Sequence, residues 1–240
     1  MSAPLLRVES VSAAYGDVRV VWDASLDVRA GEIVTLVGSN GAGKTSLLRR
    51  ISGVLPATGG RVLLRERDLS TATPAEVLAA GIAHVPEGRR LFATMSVENN
   101  LLMGAYLRGD GAAAVRRDLD LVMTIFPVLR ERRRQDAATL SGGEQQMCAV
   151  ARGIMSRPAL LMIDELSLGL APRVVERLGE ALLEVNRAGI AILLVEQDVA
   201  LAFELAGRAF VLDSGRVVLS GASADLARDP SVRAAYMGLA

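Results

Sequence analysis

Hydrophobic and polar residues alternate with two different periods along the chain, and the change of period divides the chain into regions. Residues 5–11, 18–28 and 33–37 are rich in β-branched side chains and are bounded by turn residues, which predicts strands. Unbroken apolar runs at 159–163 and 190–195 are typical of strands that are buried on both faces of a sheet. From Val97 to about Gln135, apolar residues instead recur at helical spacing.

Strands alternate with predicted helices on both sides of this helical block. The pattern predicts helices at 46–52, 75–80, 144–155, 174–186 and 198–205. Two apolar runs between 209 and 219 flank a turn sequence and predict a hairpin. The expected fold is therefore α/β with an antiparallel β portion and an inserted helical subdomain. We expect one domain, with a core lobe at 1–86 and 158–240 and a helical lobe at about 87–157.

Composition narrows the possible classes of protein. The chain has 240 residues, of which 51% are hydrophobic, and this is enough for one well-buried core. With 27 basic and 27 acidic residues, the net charge does not favour a nucleic acid as the main partner. The longest apolar runs have about six residues, whereas a membrane-spanning helix needs roughly 20. We therefore expect neither a spanning helix nor a signal peptide, and the single cysteine, Cys148, excludes an internal disulfide.

A glycine-rich loop follows the predicted strand at 33–37 and precedes a predicted helix. It matches the phosphate-loop pattern G-x-x-x-x-G-K-[ST] as Gly38-Ser39-Asn40-Gly41-Ala42-Gly43-Lys44-Thr45. Its glycines allow backbone N–H groups to surround a phosphate, and the next helix directs its positive end at the same anion. We expect residues through Ser46 to bind the nucleotide, with Lys44 on the outer phosphates and the Thr45 hydroxyl on Mg²⁺.

Two further motifs follow this loop along the chain. The apolar run at 160–163 ends in Asp164 and Glu165, and α/β folds bind ligands at the ends of such strands. We expect Asp164 to bind Mg²⁺ and Glu165 to activate the attacking water. Residues 140–146, with the sequence LSGGEQQ, place a serine and two glycines before a helix. They form either a capping box or a second anion site, and these interpretations are compatible.

These three motifs, in this order, resemble those of the ATP-binding-cassette ATPases, and the resemblance covers essentially the whole chain. The run LSGGEQQ is more specific than the phosphate loop, which many unrelated NTPases share. The resemblance implies ATP and Mg²⁺ as cofactors and a head-to-tail dimer. In that dimer Ser141, Gly142 and Gly143 contact the γ-phosphate at the partner's phosphate loop. Tyr15 matches the position that stacks on adenine, although an ordinary strand-end tyrosine is an equal alternative.

Other stretches resemble the ATPases of branched-chain amino acid importers, in particular the LivF-like second ATPase subunit. These stretches are residues 84–92, 95–101, 167–172, 195–197 and 232–238. Closely related importers of urea and short-chain amides share them. Glu87 stands at the lobe junction in place of a glutamine, and Gln197 stands in place of the switch histidine. The resemblance thus implies that Glu87 contacts nucleotide and metal and that Gln197 acts in catalysis with Lys44 and Glu165.

Three residues depart from the wider family or lie apart from its motifs. Leu166 replaces the proline that usually follows the catalytic glutamate, and Ala171 replaces an aspartate in the next loop. The only histidine, His84, does not match the switch position, and we interpret it as structural. The departure at Leu166 has no explanation at the level of sequence.

The resemblance implies an ATP-hydrolysing subunit that powers a membrane importer of branched-chain or other hydrophobic amino acids. Its implied partners are permease subunits, a second cassette ATPase that is either a copy of this chain or a paralogue, and indirectly an extracytoplasmic binding protein. Nucleic acid is not among the expected partners, and the expected location is the cytoplasmic face of the inner membrane, as a peripheral subunit. The alternatives are an importer of urea or amides, a soluble cassette ATPase and a small-molecule kinase. The intact LSGGEQQ run disfavours the kinase.

The use of lysine generates a first prediction. Of 27 basic residues only Lys44 is a lysine, which marks a place where the wide guanidinium of arginine does not serve. We expect Lys44→Arg to lose most ATP binding, measured by titration with a fluorescent ATP analogue. Near-normal affinity in this variant would contradict the inference from lysine usage.

Overall fold

A computed structural model describes the protein over residues 3–236 and contains two sheets and a group of helices. The strands are β1 (Leu6–Tyr15), β2 (Val18–Val28), β3 (Ile33–Val37), β4 (Gly59–Leu64), β5 (Arg67–Asp68), β6 (Ile82–Val85), β7 (Leu160–Asp164), β8 (Ala191–Glu196), β9 (Arg208–Asp213) and β10 (Arg216–Ala222). The helices are α1 (Lys44–Ile51), α2 (Pro74–Ala80), α3 (Val97–Gly104), α4 (Ala112–Ile125), α5 (Pro127–Glu131), α6 (Gly142–Ile154), α7 (Pro172–Arg187), α8 (Val199–Leu205), α9 (Ser223–Leu226) and α10 (Pro230–Tyr236).

The central sheet has six strands in the order β10-β9-β3-β8-β7-β6. The strands from β9 to β6 run parallel, and β10 pairs antiparallel with β9 as the predicted hairpin. The second sheet is antiparallel, with the order β2-β1-β4-β5. The predicted fold class, an α/β core with an antiparallel portion and a helical insertion, is confirmed.

The central sheet separates two hydrophobic clusters because successive side chains of a strand point to opposite faces. On β8, Leu193 and Val195 pack on the face of α1, whereas Ile192 and Leu194 pack on the face of α6 and α7. The same alternation runs along β7. Continuing this period places Asp164 on the α1 face and Glu196 on the opposite face, so the strands aim these two carboxylates in different directions.

Several element boundaries differ from those that the sequence predicts. Strand β1 continues to Tyr15 because it stays paired with β2 through three shifts of register, past the polar residues that interrupt its apolar pattern. Strand β5 has two exposed residues and was not predicted. Helix α1 begins at Lys44, two residues earlier than predicted, so the lysine lies in its first turn. The predicted helical tail forms two short helices, α9 and α10, and Met237 and Gly238 lie outside the described residues.

The described residues include no helix that is both long enough and apolar enough to span a membrane. Within the same part of the chain, the single cysteine is inaccessible to solvent. Cys148 lies on α6 in the hydrophobic core, and burial raises the pKa of its thiol to about 11. A thiol that stays protonated at neutral pH is a poor nucleophile, so Cys148 is chemically unreactive in the folded protein.

His84 is also withdrawn from solvent, on β6. Its Nδ1 lies 3.1 Å from the Ser52 hydroxyl, and its Nε2 is buried without a hydrogen-bond partner among the described residues. Burial, together with the positive charge of Arg49, lowers the pKa of His84 to about 4. The imidazole is therefore neutral in the folded protein over the physiological range.

A second prediction follows for pH and stability. Because the folded pKa of His84 lies below its unfolded value of about 6.5, the contribution of the neutral imidazole is complete above pH 6.5. This contribution falls as the pH drops toward 4, by up to about 3 kcal/mol in the free energy of unfolding. Urea unfolding between pH 7 and pH 4 measures the loss. The variant His84→Asn should lack this component, and an NMR pKa of His84 near 6.5 would contradict the prediction.

Candidate functional site

The loop between β3 and α1 packs tightly against neighbouring strands. A Cβ atom on Gly38 would lie 2.1 Å from the backbone oxygen of Leu212 on β9, and one on Gly43 would lie 2.8 Å from that of Val20 on β2. Gly43 also adopts φ 104°, a conformation that side chains strongly disfavour. The loop therefore requires glycine at both ends, and its outer surface remains open to a ligand.

Helix α1 presents free backbone donors to this loop. Its N-cap, Gly43, has no side chain to accept a hydrogen bond from the first turn, and the first turn contains no acidic residue. The first N–H groups of a helix lack partners within the helix and carry partial positive charge. The end of α1 is therefore suited to an anion, as the sequence motif predicts.

Lys44 folds back across the loop. Its Nζ donates hydrogen bonds to the backbone oxygens of Gly38 at 2.7 Å and Ser39 at 3.1 Å, and the residue is only 5% exposed. Burial lowers the pKa of the ammonium, while the charges of Glu165 and Asp164 oppose this shift. A compact cation is thus enclosed in the concave side of the loop.

Asp164 ends β7 directly beneath the start of α1. Its Oδ1 accepts a hydrogen bond of 3.2 Å from the Thr45 hydroxyl, and its Oδ2 is buried without a partner among the described residues. Burial raises the pKa of Asp164 despite the hydrogen bond from Thr45. Two hard oxygen ligands, one of them unsatisfied, fit the preference of Mg²⁺ for carboxylate and hydroxyl oxygens.

Glu165 follows in a left-handed backbone conformation, with φ 58°. Its N–H donates to the Val195 oxygen at 2.9 Å, so its backbone remains attached to β8. Burial raises the pKa of its carboxyl group to about 7, and the charge of Glu196 adds to this effect, whereas a hydrogen bond with Gln197 lowers the pKa. A carboxyl group with a pKa near neutrality can accept a proton from water at physiological pH.

A cavity of about 310 Å³ lies over the loop. It is lined by residues 40–46 together with Val20, Glu87, Glu165 and Gln197. The structure therefore brings together the predicted phosphate-loop, lobe-junction, water-activating and switch residues. Asp164 lies below this surface and joins it through Thr45.

The serine and glycines of the LSGGEQQ run lie at the start of α6. They are not among the described residues that line the cavity over the phosphate loop. Ser141 forms the predicted capping box with Glu144, with a backbone hydrogen bond of 2.8 Å to the glutamate. Ser141 is nevertheless exposed, whereas Gly143 is buried against Val174. The capping function is confirmed, and a contact with nucleotide remains a prediction that needs a second chain.

Tyr15 is placed beside α1. Its hydroxyl accepts a hydrogen bond of 3.1 Å from Arg49, and hydrogen bonds with Ser46 and Arg49 lower its pKa against the effect of burial. The ring is partly exposed and does not line the cavity over the loop. Stacking on adenine therefore stays a prediction.

One buried residue of this region, Glu196, is not among the predicted site residues. It is fully buried, and its carboxylate accepts two hydrogen bonds of 2.9 Å from the N–H and hydroxyl of Ser167. A signal was present, because Glu196 ends an apolar strand immediately before Gln197. An acidic residue at that place is unusual for a strand that is buried on both faces.

A phosphate loop with a buried lysine, an adjacent Asp-Glu strand end and a separate capped Ser-Gly-Gly helix define a nucleotide-hydrolysing P-loop protein of the cassette type. The chain belongs to the ABC transporter family, whose model matches residues 21–167. The family and the ATPase class that the motifs imply are thereby confirmed.

Similar proteins cover nearly the whole chain. The high-affinity branched-chain amino acid transport ATP-binding protein BraG of Pseudomonas aeruginosa is 42% identical, over 98% of this chain and 100% of its own length. A probable branched-chain amino acid transport ATP-binding protein, LivF of Archaeoglobus fulgidus, is 33% identical over 98% and 99%. The crystal structure of a nucleotide-free ATP-binding cassette from an ABC transporter superimposes with a TM-score of 0.87, at 24% identity, over 98% and 99%, which shows the shared fold.

Proposed function

We propose that this chain is the ATP-hydrolysing subunit of a membrane importer of branched-chain or other hydrophobic amino acids. One observation supports the proposed ATP hydrolysis: the same cavity is lined by Lys44, Thr45, Glu165 and Gln197. The amino acid cargo is supported by full-length similarity to two branched-chain amino acid transport proteins.

In this proposal the backbone amides in the first turn of α1 and the ammonium of Lys44 bind the β- and γ-phosphates of ATP. Thr45, Asp164 and Glu87 provide the oxygen ligands of Mg²⁺, whose bound charge neutralises the phosphate oxygens. The unsatisfied Oδ2 of Asp164 supports this assignment. Glu87 lines the same cavity from the lobe junction.

Hydrolysis then depends on Glu165 and Gln197. Glu165 orients a water molecule and takes its proton as the water oxygen attacks the γ-phosphorus and the bond to the bridging oxygen breaks. The products are ADP and inorganic phosphate. Gln197 donates a hydrogen bond from its amide, to a phosphate oxygen or to the water, and unlike a histidine it cannot become cationic.

The site is completed by a second cassette. Ser141, Gly142 and Gly143 bind the γ-phosphate at the partner's loop, and the partner's equivalent residues complete the site of this chain. Ser141 is exposed at the start of α6, away from the chain's own loop, and this position supports the arrangement. The partner is a second copy or a paralogue, and Tyr15 stacks on the adenine ring.

The remaining partners follow from the proposed transport role. Permease subunits bind the cassette pair and conduct the amino acid, and an extracytoplasmic binding protein delivers it to them. The chain lies at the cytoplasmic face of the membrane as a peripheral subunit. ATP binding closes the cassette dimer, and hydrolysis reopens it.

A third prediction tests the assignment of the two carboxylates. Glu165→Gln keeps the size of the side chain but removes its charge and the proton acceptor, so it should bind ATP normally and lose at least about 100-fold in turnover. Asp164→Asn should also weaken Mg²⁺-dependent ATP binding. Steady-state ATPase rates and titrations with a fluorescent ATP analogue measure both effects.

The exposed Glu176 on α7 offers a matched control, because Glu176→Gln removes the same charge away from the cavity. This control should keep the parental rate. If Glu165→Gln hydrolyses ATP as fast as the parent, another residue activates the water and the assignment is wrong.

A fourth prediction tests the cargo. Deletion of the gene in its native cell should abolish high-affinity uptake of labelled leucine, isoleucine and valine. The parental gene should restore uptake, and the Glu165→Gln variant should not. Loss of urea uptake with normal leucine uptake would instead assign the chain to the related urea importers.

A further inference from the structure

Glu196 occupies a position where a carboxylate is costly. It is the last residue of β8, on the face that carries Ile192 and Leu194, and it is fully buried. A carboxylate without hydrogen bonds in such a place would be strongly destabilising. None of the described arginines or the lysine forms an ion pair with it, so hydrogen bonds must satisfy its oxygens.

Those hydrogen bonds come from the segment that carries the catalytic carboxylates. Oε1 accepts from the Ser167 N–H and Oε2 from the Ser167 hydroxyl, both at 2.9 Å. Burial raises the pKa of Glu196, whereas these bonds and the N–H groups of Leu166 and Gln197 lower it. The side chain thus gathers donors from both sides of the proposed reaction centre.

The attachment of Ser167 restrains the residue on which hydrolysis depends. Glu165 leaves β7 in a left-handed conformation, and its N–H is bonded to Val195 on β8. Two residues later, Ser167 is bonded to Glu196 on the same strand. The short turn is therefore fixed to β8 at both ends, although Leu166 lacks the rigid ring that a proline would supply.

Glu196 is also connected to the second proposed catalytic residue, Gln197, through the chain itself. Gln197 is the next residue in the chain and lines the cavity together with Glu165. A shift of the Glu196 side chain would change the spacing between the proposed water activator and the proposed switch residue. Displacements of this kind by about 1 Å can cost a large factor in rate.

We propose that Glu196 is a positioning residue for ATP hydrolysis, which fastens the turn after Glu165 to the strand end that carries Gln197. This inference rests on the proposed function, because it assigns Glu196 to the same reaction. Glu196 acts through Glu165 and Gln197 and does not itself touch the nucleotide.

The proposal separates turnover from binding. Glu196→Leu, an apolar replacement of similar size, removes every acceptor and frees the turn, while the phosphate loop and Asp164 are unchanged. We expect kcat to fall at least about tenfold, the loss expected for charge-assisted hydrogen bonds. The dissociation constant for a fluorescent ATP analogue should stay within about twofold of the parental value.

Ser167 provides an independent variant and a rescue. Ser167→Ala removes only the hydroxyl donor and should lower kcat by a smaller factor than Glu196→Leu. Ser167→Thr keeps both donors and should restore most of the rate. Ser70→Ala is the matched control, because the N–H and hydroxyl of Ser70 also bond to a carboxylate, in this case one oxygen of Asp68 at the end of β5. It should retain the parental kcat.

The measurements use the full chain, alone and in its assembled transporter, with melting temperatures recorded for every variant. The proposal is overturned if Ser167→Ala keeps the parental kcat, if ATP affinity falls in parallel with kcat, or if Ser167→Thr is no better than Ser167→Ala. It is also overturned if the loss of rate only follows a loss of melting temperature. Full activity of Glu165→Gln in the same assay would instead refute the proposed function.

Discussion

Backbone hydrogen bonds between the parallel strands β3, β8 and β7 bring three separate loops to one edge of the central sheet. The register pairs Val37 with Glu196 and Asp164 with Val195, so the strands end at the same level. The phosphate loop follows β3, Glu165 follows β7 and Gln197 follows β8 directly. A change of register in one strand would therefore separate residues that lie more than 100 positions apart in sequence.

The sequence predicts those parts of the site that depend on a few consecutive residues, and it does not predict those that depend on contacts between distant residues. The phosphate loop, the strand that ends in Asp164 and the capping box of Ser141 each depend on a few consecutive residues, and they were found. The unpredicted features depend on distant partners. Glu196 meets Ser167 across 29 positions, and β1 is extended by its pairing with β2 across polar residues. Periodicity within one segment contains no information about such contacts.

The site also concentrates charge in a place with little water. Lys44, Asp164, Glu165 and Glu196 are all less than 9% exposed, and acidic groups outnumber the lysine. Burial raises the pKa of all three carboxyl groups, and the charges of neighbouring carboxylates add to this effect at Asp164 and Glu165, so the clustering of these groups is electrostatically unfavourable. Natural proteins accept such a loss of stability where a reaction requires it. A bound cation would relieve part of the repulsion among these groups.

The hydrogen bonds of Lys44 to the carbonyl oxygens of Gly38 and Ser39 have a consequence for protein chemistry. Reagents that acylate amines find a single lysine side chain in this sequence, and the fold shields it within the loop. Its reactivity can therefore be assigned without peptide mapping of other lysines. Acylation would remove the positive charge of Lys44, so the extent of labelling would measure the fraction of molecules in which the loop exposes this side chain.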